Sequence, residues 1–285
     1  MTRRLLVFLA DTHGGHKLSL MNPDVWLLEE ADGELRPYQP QLSAMQRWLW
    51  SCYKADIAAV AELADGCQVD VCHVGDVTWG TRYPAGLVSS RLADQPIIAA
   101  ANLRPWLALP NVASLRLIVG TDNHELGEAT APVLVARELA KDAPGRTVAV
   151  LSHLLGDVDG VSVDAAHHGP HPGTRTWLKG NQLRYYARSL MEGEIIAGRE
   201  PPELVVRAHY HEYACETVRI RGAREYVTEI VVLPSYAGLT PYVQQATRSV
   251  GQIGCGLVVV EIENGRLREI SPLVHTKDVR ARVSL

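Results

Sequence analysis

The sequence is short of the features that usually betray a class at sight. Its five cysteines (Cys52, Cys67, Cys72, Cys215, Cys255) are too few, too scattered and odd in number for a disulfide framework in 285 residues. They are expected as reduced, buried thiols, with Cys67 and Cys72 too isolated to make a structural zinc site. Long apolar runs are missing: Leu5 to Ala10, behind Arg3-Arg4, ends at Asp11. That run is too short for an export signal and far too short for a membrane span, so a soluble, cytoplasmic protein is expected. An excess of one charge is missing too, since 28 basic against 32 acidic residues leave a net charge of -4. Nothing in that balance attracts the whole surface to nucleic acid or to an anionic membrane. There is no internal repeat and no low-complexity tract.

What is present is 47% hydrophobic residues, enough for a substantial core. We expect one domain over residues 1–285, with inserts at about 14–40, 80–112 and 170–200. Leu5 to Ala10, Val69 to Val74 and Leu115 to Val119 are continuous apolar runs, as in strands covered on both faces, and each leads into a polar cluster. Apolar residues at three- and four-residue intervals predict an amphipathic helix over 41–64. Asp32-Gly33 between 25–29 and 34–38 predicts a hairpin within the first insert. Further strands are expected over 147–151, 161–165 and 204–208, and a helix over 181–197. A strand-rich C-terminal part, 217–220, 226–233 and 257–263, suggests a second sheet.

Five polar clusters follow these strands: Asp11-Thr12-His13, Gly75-Asp76, Asn123-His124-Glu125, His168-Gly169 and His209-Tyr210-His211. Taken singly each is commonplace; their order is the signal. Carboxylate oxygens, imidazole nitrogens and an amide oxygen together suit Mn, Fe or Zn better than Ca or Mg, which prefer oxygen alone. Two such ions about 3.5–4 Å apart require a bridging ligand, which an Asp at a strand end can supply.

The ordered set resembles the calcineurin-like metallophosphoesterase family, whose motifs are Asp-x-His, Gly-Asp, Asn-His-Asp/Glu, a single His and Gly-His-x-His. The resemblance spans Asp11 to His211. It implies an α/β (α+β) fold, a four-layer αββα sandwich of two mixed sheets flanked by helices, and a cofactor of two divalent metal ions. By motif, Asp11, His13 and His211 would hold one ion and Asn123, His168 and His209 the other, with Asp76 bridging. His168 is chosen over His167 because the family's ligand commonly precedes a small residue. His124 would stand outside the metal shell as proton donor, with Glu125 a candidate to orient it.

The implied activity is hydrolysis of a phosphodiester or phosphomonoester by attack of a bridging hydroxide on phosphorus, with a nucleic acid or nucleotide among the candidate substrates. Two departures affect the motifs: Asp122 stands where the family usually has Gly, in a turn that would need positive φ, and Ala208 replaces Gly before His209. A third concerns substrate. Trp79-Gly80 stands where the family's protein phosphatases carry Asp-Arg, so phosphoprotein is not expected, and Arg82 nearby is read as a solvated charge. Arg175, Lys179, Arg184 and Arg188, interleaved with Trp177, Tyr185 and Tyr186, form a candidate groove for a phosphodiester backbone; the simpler reading is that Arg184 and Arg188, four apart on one face of the expected helix, are solvated charges. The competing reading keeps the metals without turnover, as a nucleic-acid-binding or assembly component. Other metallohydrolases are disfavoured because they place His-x-His first rather than last.

Overall fold

The computed structural model describes residues 2–173, 178–222, 224–240 and 251–280. Strand β1 (Arg3–Leu9) leads to a hairpin of β2 (Leu27–Ala31) and β3 (Glu34–Tyr38), then α1 (Ala44–Ala64) and β4 (Gln68–Val74). Next come α2 (Asp94–Ala108), β5 (Val112–Ile118), α3 (Thr130–Ala140), β6 (Thr147–Leu151), β7 (Leu154–Val158) and β8 (Val161–Ala165). The chain continues through α4 (Asn181–Ile196), β9 (Leu204–Arg207), β10 (Ala214–Arg221), β11 (Glu225–Val232), β12 (Gln252–Glu263) and β13 (Arg266–Asp278).

Two mixed sheets dominate. One runs β13-β12-β1-β4-β5-β6 and the other β10-β11-β9-β8-β7. Three cores stack them. Leu49, Tyr53 and Val60 of α1, Leu103 and Trp106 of α2 and Val135 of α3 pack on Val7, Val71 and Leu115 of the first sheet. Its other face (Leu6, Phe8, Cys72, Val258) meets Val163, Val206 and Val231 of the second sheet. The second sheet's outer face is covered by Leu183, Ala187 and Met191 of α4. Strands β1, β4 and β5 are parallel, as are β8 and β9, so within each sheet their C-terminal ends share one edge. In open α/β sheets that edge is where ligands bind.

Local chemistry explains the elements. A capping box, with the Ser43 hydroxyl accepting from the Gln46 N–H and the Gln46 side chain accepting from the Ser43 N–H, starts α1, and Asp65 ends it in the left-handed conformation. Asp32 (φ 56) and Gly33 (φ 80) turn the hairpin. In α2, Pro105 lacks the N–H that would reach the Ala101 carbonyl; the Asn22 side chain, from the first insert, donates to that oxygen instead, at 2.9 Å. The stretch 80–112, expected as an insert, therefore supplies a helix of the main core. Pro272 is tolerated in β13 because that strand is a sheet edge.

All five cysteines are free thiols. No helix among the described residues is long and apolar enough to cross a membrane.

Candidate metal centre

Every polar cluster named from the sequence begins within a few residues of a strand's end. Asp11 and His13 follow β1, Asp76 follows β4, the 120–125 loop follows β5, His167 and His168 follow β8, and His209 and His211 follow β9. Asp11, His13, Asp76, His209 and His211 all have positive φ, between 45° and 77°. Such backbone costs about 1–3 kcal/mol per residue and persists only where the surrounding fold enforces it; it gathers at functional sites. The Asp11 N–H donates to Gly75 O and the His209 N–H to Asp11 Oδ2, which ties the three strand ends together.

The side chains converge in three overlapping groups: Asp11 with His13 and His211, His13 with Asp76 and His124, and Asp76 with His167 and His209. The first and third share no member, so they offer two separate cation positions; the middle one links them. Hydrogen bonds fix the direction of three rings. Nδ1 of His13 lies 3.3 Å from Thr78 O, Nδ1 of His124 2.6 Å from Trp79 O, and Nδ1 of His167 2.7 Å from Val74 O. A carbonyl only accepts, so each Nδ1 carries the hydrogen and each Nε2 is the atom left to face the site. Residues 74–79 thus orient imidazoles arriving from three distant parts of the chain, in the way that backbone carbonyls commonly orient metal-binding histidines.

The resulting encounters need a positive charge between them. His13 Nε2 is 3.2 Å from His211 Nε2, and His211 Nε2 is 3.2 Å from Asp11 Oδ1. His167 Nε2 faces Asp76 Oδ2 at 3.3 Å, out of line for a hydrogen bond. Asp11 Oδ1 and His167 Nε2 are buried without a hydrogen-bond partner. Buried polar atoms are seldom left so, and a divalent cation between lone pairs would satisfy them. These buried His/Asp groups could therefore hold metal ions, and their mixture of carboxylate oxygen and imidazole nitrogen suits a cation of intermediate softness.

Protons compete for the same positions. Burial disfavours charge on His167, but the Asp76 and Asp11 carboxylates outweigh it and raise its pKa to about 9. Burial likewise opposes charge on His211, and Asp11 raises its pKa nevertheless. Burial alone would raise Asp11; the facing His211 and His167 bring it down to about 2. Asp76 is held far below the usual carboxylate range against its burial, chiefly by His167. Burial, reinforced by His124, lowers His13 to about 3.

Several residues sit differently from their sequence reading. His167, not His168, joins Asp76 and His209: His167 is buried, while His168 is exposed and lies flat on His209, ring centroids 4.9 Å apart and 25° between planes. Asn123 is exposed, and its Oδ1 accepts from Arg82 at 3.3 Å. Arg82 is accordingly more than a solvated charge. His124, expected outside the shell, brings its ring within 4.5 Å of His13.

Glu125 does not orient His124. It turns inward, accepting from the Asp76 N–H at 3.0 Å, and its burial pushes its pKa up to about 7 against the backbone N–H of Gly120 and with the help of the Asp76 charge. Sequence reasoning gave no role to Thr121, whose N–H and hydroxyl both donate to Asp76 Oδ1, at 2.6 and 2.9 Å. Asp122 is not among the positive-φ residues, so the missing Gly causes no strain there.

The basic groove does not survive in the described residues. Lys179 pairs with Glu212, Arg184 with Glu216 and Arg188 with Glu192. These cations sit on or just before α4, on the layer outside the second sheet, and are neutralised locally; Arg175 and Trp177 lie outside the described residues. His16 and His73 are buried and hydrogen-bonded: His16 stacks on Trp79 at 4.1 Å and bonds to Ala85 O, and His73 Nε2 lies 2.9 Å from the Thr12 hydroxyl. A scan against models of known protein families finds no match, and a search of curated proteins finds no relative.

Proposed function

We propose that this protein is a metal-dependent phosphoesterase with a metallophosphoesterase-like four-layer fold. The observation that carries the reading is the pair of disjoint groups, Asp11/His13/His211 and Asp76/His167/His209, each joining a carboxylate to imidazoles and each holding one buried atom without a hydrogen-bond partner, Asp11 Oδ1 in the first and His167 Nε2 in the second. The order of these residues along the chain and their strand-end positions support the same assignment. His13 and Asp76 belong to the linking group, which supports Asp76 as the residue that would bridge the two positions.

When bound, two ions of the Mn, Fe or Zn type supply Lewis-acid neutralisation of phosphoryl oxygens and a nucleophile at neutral pH. The chain's own residues do the rest. Asp76 is held by Thr121 and by the Gly120 turn, where a Cβ would meet Asp76 N at 2.2 Å, so its Oδ2 cannot swing away from the centre. His124, with Nδ1 anchored on Trp79 O, presents Nε2 toward the centre. In its imidazolium form it holds a proton there for the departing oxygen, a contribution typically worth about 10²–10⁴-fold. Thr78 anchors that loop by donating to His124 O.

The test is hydrolysis of bis(4-nitrophenyl) phosphate and 4-nitrophenyl phosphate by protein purified without metal and then supplied with Mn, Zn, Fe, Mg or none. Metal-dependent turnover lost in Asp76→Asn and reduced in His124→Ala is expected, and the diester-to-monoester ratio identifies the ester class. Two ions bound per chain with no turnover of either ester would replace catalysis by a binding or assembly role.

A further inference from the structure

We propose that the centre takes a phosphate ester carrying a nucleoside, with the nucleobase stacked on an exposed patch of rings formed by His168, Tyr210 and His171. The proposal rests on the reading of the centre as the phosphoryl site and extends it to the rest of the substrate.

The patch is continuous with the centre. His209, a member of the third group, touches His168 face to face, and it meets Tyr210 edge-on at 5.1 Å and 76°. Tyr210 in turn meets His171 edge-on at 4.8 Å and 68°. His168, Tyr210 and His171 are all exposed, and among the described residues neither histidine has an acidic partner to explain its position. His168 covers His209 with one face and is itself exposed. On the opposite side of the centre the nearest large ring, Trp79, is buried, stacks on His16 and uses its indole N–H on Tyr83 O. Among the described residues, the exposed rings that touch a member of the three groups, His168 and Tyr210, lie on the side of β8 and β9, and a substituent of the ester has that direction in which to extend.

The spacing selects the substituent. The platform begins one ring beyond His209, so an aromatic group resting on it is separated from the phosphoryl position by a spacer. An aryl phosphate carries its ring directly on the ester oxygen, with no spacer. A nucleotide places a sugar between phosphate and base, and every base has a π-face that stacks on an aromatic side chain without sequence preference.

The experiment is calorimetric titration of Mn-loaded protein with adenosine 5′-monophosphate and with ribose 5-phosphate, which differ by the base alone. The wild-type protein should prefer the nucleotide by about tenfold or more, as expected for one stacked base. Tyr210→Ala and His168→Ala should each bring that ratio toward one, and Tyr210→Phe should keep it. Because the ratio compares two ligands on one preparation, a misfolded fraction cancels. Equal affinity in the wild type, absence of binding by both, or a preference that survives both alanine variants overturns the proposal. Turnover of thymidine 5′-(4-nitrophenyl) phosphate is read separately. An intact ratio without turnover removes the esterase reading and keeps base recognition; turnover with a ratio of one does the reverse.

Discussion

Replacing His167 with Asn should separate the two adjacent histidines decisively. In the metal-free protein His167 faces Asp76 across 3.3 Å, and its pKa is raised from 6.5 to about 9. That difference corresponds to about 3 kcal/mol of interaction between the charged ring and its surroundings. A folded-state pKa above the unfolded one contributes stability that is fully present below about pH 6.5 and is lost as pH rises through about 9. At pH 6 without metal, His167→Asn should therefore melt roughly 6 to 12 °C below the wild type, and the gap should shrink by pH 9. His168→Asn, at an exposed position, should stay within about 0.5 kcal/mol at both pH values. Metal must displace the His167 proton, so affinity at this position should rise with pH over the same window. Thermal unfolding with chelator at both pH values, followed by elemental analysis after reloading, reads all of this. The expected contents are two ions per chain for wild type and His168→Asn, and one for His167→Asn. A His168→Asn variant that loses an ion while His167→Asn keeps both would refute the assignment, as would equal melting of His167→Asn and wild type at pH 6.

Two further outcomes follow from the same geometry. Burial lowers the His73 pKa to about 4, so the unfolded chain takes up a proton that the folded chain refuses; stability should fall by about 3 kcal/mol as pH drops from 6.5 through 4. Denaturant titrations across that range should show a flatter profile for His73→Leu than for wild type. Gly75 has φ 87°, and a Cβ there would lie 2.3 Å from His167 Nδ1. Gly75→Ala should lose roughly 2–4 kcal/mol and one of two bound ions, read by the same melting and elemental analysis; unchanged metal content would mean that His167 is not held as described.

Much of the site was readable because each ligand stands at the end of an apolar run, and buried parallel strands announce themselves by composition alone. Strands 147–151 and 161–165 match β6 and β8, and helix 181–197 differs from α4 by one residue at its end. The reading failed where the chain leaves its period. Beyond Ala165 the two-residue alternation of β8 gives no rule for which of His167 and His168 turns inward; the carbonyl of Val74, from another strand, decides it. Helices α2 and α3 were hidden by Pro96, Pro105 and Pro132, and the compensation at Pro105 comes from Asn22, eighty-odd residues away in sequence. The first insert, with its hairpin, was visible as a turn flanked by strands, but its role in completing a helix was not. Charge pattern alone left the cations around α4 between a groove and a solvated face, since the acids that pair with Lys179 and Arg184 lie on or just before β10.

The three carbonyls of Val74, Thr78 and Trp79 give the centre an unusual kind of tolerance. They belong to the main chain, so the orientation of His13, His124 and His167 does not depend on which side chains those three positions carry. It depends instead on the path length between them. A single residue inserted between 74 and 79 would turn the oxygens away from rings delivered by three other loops and would disorient all three imidazoles in one event. The centre is thus robust to spelling changes in this segment and intolerant of any change in its length.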